Sequence, residues 1–277
     1  MLPFSVSEIE GQPLSDIMIH LFNHASFTQD SIRSLRHPGQ FQWVKKQFEA
    51  YLEQGGLPGL CFIRNTALRR NALNDLHDLI LGRDLRLVSE IKTPVSTLKR
   101  LLSYIAGLSF EIYNASEVRR ILGLSPATQR KLLDAMESIF LIRRIPVPLR
   151  KKNIFLLEDQ YEERIYSGGR LDKTRYLEGA LYRNLRTQFS YRLDKDIRFE
   201  SYLTRDHARV PIVIVNDDRS VGIIVTAEEK PTLSETRSAT SFLRHHGAGK
   251  ILYLSQGMSQ PKILDDRSMV ASIYSVL

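Results

Sequence analysis

The chain has a single cysteine, Cys61, in 277 residues. No internal disulfide can form, and the apolar setting Leu60-Cys61-Phe62-Ile63 points to an inert, buried thiol in a reducing cytoplasm. Long hydrophobic runs are also missing: none approaches the roughly 18 residues that span a bilayer. No basic segment followed by an apolar one opens the chain, so export is not expected, and no membrane partner is. The pattern GxxxxGK[ST] is absent, which excludes nucleotide binding in the P-loop manner. Gly-x-Ser-x-Gly is absent too, and with it the strained serine nucleophile of that turn. Nothing repeats internally, and no tract is compositionally biased. His20 and His24 have the i, i+4 spacing used for zinc, but no Glu follows His20 and no third ligand is in view. They read as helix surface, and neither a metal nor a cofactor is called for.

What is present is an ordinary globular composition, 43% hydrophobic and 25% charged, with 39 Lys and Arg against 31 Asp and Glu. The net charge of +8 permits contact with nucleic acid without requiring it. Residues 1–94 read as helical. Ser5 and Glu8 have capping-box spacing. Ile17, Ile19, Leu21 and Phe22 supply apolar residues ahead of a polar loop. Trp43, Val44, Phe48, Tyr51 and Leu52 share a helical face that stops at Gly55-Gly56, with Pro58 beyond. Another helix spans 64–87, with Leu68, Ala72, Leu76, Leu79 and Ile80 inward, and Pro94 closes the region.

Residues 95–164 carry helix-turn-helix grammar. Leu98, Leu101, Leu102, Ile105 and Ala106 form one amphipathic face. Asn114 and Glu117 cap a short helix ending at Gly123, and Ser125-Pro126 opens the next, with Leu132, Leu133, Met136, Ile139 and Phe140 inward. Two strands around the basic turn 149–153 complete a winged helix. In this reading Thr128, Gln129, Arg130 and Lys131 meet a groove, while Arg143, Arg144, Arg150, Lys151 and Lys152 meet phosphates. Asp134 and Glu137 on the same helix oppose that use.

Residues 165–277 read as α-β-β-β-α-β: a helix over 174–188, three β-rich runs between 197 and 226, a helix over 234–246 and a strand at 250–254. His245-His246 beside Gly247 reads as a helix C-terminus. The element order suits the PD-(D/E)XK nuclease core, in which an Asp opens the second strand and a Glu-x-Lys lies on the third. Here those stretches are mostly apolar.

Several segments together resemble bacterial and archaeal AAA-type ATPases fused to a C-terminal domain of unknown function with a nuclease-like fold. They are LPFSVSEIEG, FEAYLEQGGLPG, ILGRDL, the 116–147 winged-helix stretch, and YLEGALYRNL with Glu178 in the family's acidic place. The resemblance covers nearly the whole chain but departs from the family at two points. The chain begins where the family's ATPase module would end, which implies a truncated member or a fragment completed by a missing N-terminal half. Against the family's nuclease signature, Pro211 stands at the Asp, Ile224 at the Glu and Thr226 at the Lys. The literal Asp218, Glu228, Lys230 series cannot replace them, because a turn and the far end of a strand lie about 20–25 Å apart. A displaced site of Asp206, Glu228 and Lys230 is the one alternative for metal-dependent nuclease chemistry.

The expectation is therefore an α+β protein with three parts: a lid-like helical region (1–94), a winged helix (95–164) and a degenerate, restriction-endonuclease-like domain (165–277). The expected role is noncatalytic binding, with DNA or a partner protein as the candidate partners. No motif addresses oligomeric state.

Overall fold

The computed structural model describes residues 3–12, 22, 24–35, 38–190, 197–257 and 260–277. Ile17, Ile19, Leu21 and His20 lie outside them. The fold is α+β. Helix α1 (Val6–Ile9) opens with the expected capping box: the Glu8 amide donates to Ser5 Oγ, and the Glu8 carboxylate accepts from the Ser5 amide at 2.8 Å. α2 (Gln29–Arg33) and α3 (Phe41–Gln54) follow. On α3 the apolar stripe buries Val44, Phe48 and Tyr51, while Trp43 stays partly exposed. α4 (Thr66–Leu79) is capped by Asn65 and continues through a π-helical turn, Ile80–Asp84, into α5 (Leu85–Val88).

After Pro94 come α6 (Val95–Leu108), α7 (Ala115–Leu122) and α8 (Pro126–Ser138), then strands β1 (Ile142–Val147) and β2 (Lys152–Leu157). Local chemistry sets these boundaries. Asn114 accepts from the amides of Ser116 and Glu117, and Gly123 takes the left-handed conformation that ends α7. Ser125 Oγ accepts from the Thr128 amide, with Pro126 first in α8. The inward leucines of α6 and α8 form one core with Val118, Ile142, Phe155 and Leu157. Ile112 bridges Ile154 antiparallel, adding a short third element to the β1–β2 hairpin. Helix, tight turn, helix and hairpin make the arrangement of a winged helix-turn-helix. α9 (Gln160–Tyr166) and α10 (Lys173–Ser190) come next. α10 is buried from Leu177 through Phe189, far beyond one apolar stripe, and its inward polar residues therefore need partners within the protein.

Two compact units emerge. One holds residues 1–4, 50–145 and 153–183; the other holds 5–49, 146–152 and 184–277. In the second unit lie β3 (Ile197–Leu203), β4 (Arg209–Asn216), β5 (Arg219–Thr226), α11 (Leu233–His245), β6 (Gly249–Ser255), β7 (Lys262–Asp265) and β8 (Ser268–Ser272). They build a sheet of order β3-β4-β5-β6-β8-β7. The β3-β4-β5 meander is antiparallel, α11 crosses over to parallel β6, and β8 continues parallel to β6. The α-β-β-β-α-β order is thus present, and β7 and β8 extend it. Asp217 takes the left-handed conformation in the two-residue β4–β5 turn, as a tight hairpin demands.

Parallel strands β5, β6 and β8 end in register at Thr226, Ser255 and Ser272. Each of these buried hydroxyls accepts the amide two residues on, from Glu228, Gly257 and Tyr274. Three adjacent strands therefore stop by the same hydroxyl-to-backbone turn. At the other end of β6, Arg267 gathers the carbonyls of Leu243, His246 and Gly249. That contact closes the C-terminus of α11, where His245 and His246 were expected.

Candidate functional site

The helix-turn-helix residues divide sharply once placed. Arg130 and Lys131 are exposed on α8, and Lys131 Nζ donates to the Glu90 carbonyl at 2.9 Å. Thr128 is half-buried and closes the turn through its contact with Ser125. Gln129 does not face a groove. It is 2% exposed, accepts from the Tyr113 hydroxyl at 2.9 Å, and donates to the carbonyls of Ala115 and Leu124. The signal was readable: 129 falls on the same face as Leu132, Leu133 and Met136. α7 adds two exposed cations, Arg119 and Arg120; the latter lies 4.0 Å from Glu117.

The β1–β2 hairpin is less available than its charge implies. Arg143 pairs with Glu158 at 3.0 Å. Arg144 pairs with both Asp134 and Glu137 and lies over the Phe155 ring. That second pairing also offsets part of the charge of the two acids on α8 that would repel a phosphate backbone. Arg150 donates to the Thr204 carbonyl at 3.2 Å. Lys151 and Lys152 remain exposed.

The three substituted nuclease positions lie in the packed C-terminal sheet. Pro211 falls at a β-bulge: Glu200 pairs with Val213 and Tyr202 with Val210, so two residues oppose one. Proline, which has no amide hydrogen to give a ladder, is tolerated there. Ile224 packs into the core beneath α11 with Phe242, Tyr253 and Val270, and Thr226 closes its strand. Asp206, Glu228 and Lys230 are all exposed. Among the described residues no group of three or more His, Cys, Asp or Glu is arranged to hold a metal ion.

Sequence reasoning missed a buried polar network around α9. Asp159 caps that helix, accepting from the Tyr161 amide at 2.8 Å through Oδ1 and from the Gly56 amide at 2.7 Å through Oδ2. Glu162 completes the capping box and holds His77 Nε2 at 2.7 Å, while His77 Nδ1 meets the Tyr166 hydroxyl at 2.6 Å. Arg183 on α10 pairs with Glu163 and bonds Gln160. Its guanidinium also takes the carbonyls of Leu157 and Glu158 at the end of β2. The one sequence signal was Asp159-x-x-Glu162, the spacing of a capping box. Cys61 is buried in this unit, and burial raises its thiol pKa, in keeping with an inert role.

Burial, and then the neighbouring Glu162, push the Asp159 pKa up to about 6, against the Gly56 amide and Arg183. Burial also raises Glu163 despite Arg183. The folded protein therefore holds a proton on Asp159 that the unfolded chain releases near pH 3.8. The associated stability is full below that pH and lost as pH rises through 6. Comparing urea unfolding of the native protein and Asp159→Asn from pH 4 to 7 should show the difference between them changing over that window. A constant difference would contradict the assignment.

A family model described as Domain of unknown function (DUF8612) matches residues 45–166. That span contains the helix-turn-helix and most of the buried network. No ATPase or nuclease family matches. No curated protein and no solved structure matches either.

Proposed function

We propose that the protein is a noncatalytic nucleic-acid-binding protein that meets the phosphate backbone with the outer face of its helix-turn-helix. The observation that carries the reading is the combination on α7 and α8. Arg119, Arg120, Arg130 and Lys131 are exposed there, while Arg144 pairs with Asp134 and Glu137 and offsets part of their charge. Exposed cations on a groove-sized helix pair are what sequence-independent duplex binding needs. The loss of Gln129 from the exposed face removes one base-reading side chain, which favours backbone contact over base discrimination.

The C-terminal sheet fits this reading as a nuclease-like scaffold without its metal acids, with Pro211, Ile224 and Thr226 serving strand geometry and packing. Docking of a protein partner is the second reading. It is favoured by Leu87 and Val88 of α5, 79% and 55% exposed.

Anisotropy titrations with a labelled duplex across a salt series test the proposal. Four phosphate contacts predict a slope of about −3 to −4 in log affinity against log salt. The triple variant Arg119→Glu, Arg120→Glu, Arg130→Glu should lose at least tenfold in affinity. Absence of duplex binding at low salt, or binding that ignores salt, overturns the reading and leaves protein docking.

A further inference from the structure

The C-terminal unit carries a second cationic feature, on α11. A cleft of about 590 Å³ runs along the outer face of this helix, between Leu233 at one end and Arg244 and His245 at the other, with Arg237 near the first. The two arginines lie seven residues apart, about 10 Å along the axis at 1.5 Å per residue. Both are exposed, and no ion pair with a described residue engages them. Among the described residues no Asp or Glu lines the cleft. Burial raises the pKa of the half-buried Glu200 on β3, against the nearby charges of Arg198 and His245.

Of the three hydroxyls on this face, two donate to backbone carbonyls of the helix itself. Thr236 donates to the Thr232 carbonyl and Thr240 to the Thr236 carbonyl, each at 2.9 Å. Ser241 shares a hydrogen bond with the Tyr202 hydroxyl at 2.8 Å. The middle of the cleft therefore offers oxygen lone pairs, and its strong donors stand apart as two guanidinium forks. At the far end the exposed His245 ring lies 5.0 Å from the half-buried His246 ring and 5.8 Å from the buried Tyr202 ring, so His245 is the ring presented at the surface there.

We propose that this cleft binds a single-stranded polynucleotide, with phosphates on Arg237 and Arg244 and a base against the His245 ring. The proposal rests on the nucleic-acid reading for its class of ligand and adds a distinct site and a distinct strand state. A charged groove with an aromatic platform is the usual design for single strands, whose bases are free to stack on protein. Duplex bases are occupied with one another and would leave the ring unused. An acidic peptide would satisfy the arginines but supplies no planar base for the ring.

The test is binding of a labelled 12-nucleotide oligo(U) and oligo(dT) to the full chain, with Arg237→Ala, Arg244→Ala and His245→Ala. Each substitution should weaken single-strand binding at least fivefold, and each arginine variant should flatten the salt dependence by about one contact. Arg237→Lys, which keeps the charge but loses the fork, should fall between native protein and Arg237→Ala. Duplex binding should be unchanged by all four, and the Arg119, Arg120, Arg130 triple variant should retain single-strand binding. Thermal unfolding of each variant guards against loss of fold. Unchanged oligonucleotide affinity in the arginine variants overturns the site. So does displacement of the oligonucleotide by a poly-glutamate peptide at equal charge concentration, which would mark an acidic-peptide surface. Loss of duplex binding in the helix-turn-helix variant alone, with single-strand binding retained, separates the two readings.

Discussion

Arg183→Met is expected to destabilise the N-terminal unit by about 3–5 kcal/mol, measured by chemical denaturation. The guanidinium is 3% exposed, and its partner Glu163 is 1% exposed. Methionine fills similar space but supplies no charge and no donors. Glu163 would be left buried and uncompensated, and the carbonyl of Leu157 and the side chain of Gln160 would lose their partner. The penalty comes mainly from those orphaned groups, because a buried pair as a whole gains little over apolar packing. The double variant Arg183→Met, Glu163→Leu should therefore recover a substantial part of the loss. If it unfolds as readily as the single variant, the carbonyl contacts, and not the ion pair, dominate. Because those carbonyls end β2, the same residue ties the hairpin of the winged helix to α10.

Gly55→Ala and Gly56→Ala should each cost on the order of 3–5 kcal/mol, at the upper end of single substitutions. Gly55 has a φ of +69°, and a methyl group there would stand 2.2 Å from Asp159 Oδ1. At Gly56 it would stand 2.1 Å from the carbonyl oxygen of Phe4, a backbone atom that cannot swing aside. The Phe4 amide in turn donates to the Gly56 carbonyl at 2.7 Å, so separating the two segments to make room breaks that bond. Gly107→Ala is the control. It lies within α6 with nothing inside 4 Å of the added methyl, and it should be neutral or stabilising by up to ~1 kcal/mol. A thermal-shift comparison of the three variants checks the ranking; equal melting temperatures would remove the close-approach argument.

The parts of this structure that were legible in advance are those whose chemistry is local. The caps at Ser5, Asn114 and Ser125 connect residues two or three positions apart, and all three form. The inward leucines of α6 and α8 follow from a 3.6-residue period. The α-β-β-β-α-β order and the Asp217-Asp218 hairpin turn follow from β-rich runs broken by turn residues. Strands β7 and β8 were not foreseen, since β7 is four residues long and β8 is a short apolar run of a kind shared by strands and helices.

The candidate site was legible only as an inventory of charge. Composition and spacing placed cations on the helix-turn-helix, but an ion pair is decided by which elements meet. Arg144 pairs with Asp134 and Glu137 because β1 runs beside α8, and Arg143 is taken up by Glu158 at the end of β2. The buried network depended even more on distant contacts: His77, Gly56, Asp159 and Arg183 come from four separate parts of the chain. By itself the sequence determined the caps at Ser5, Asn114 and Ser125, the α-β-β-β-α-β order and the absence of a P-loop motif, because each rests on neighbours along the chain. Only the tertiary structure decided which charges face solvent, since burial and pairing depend on residues brought together from far apart.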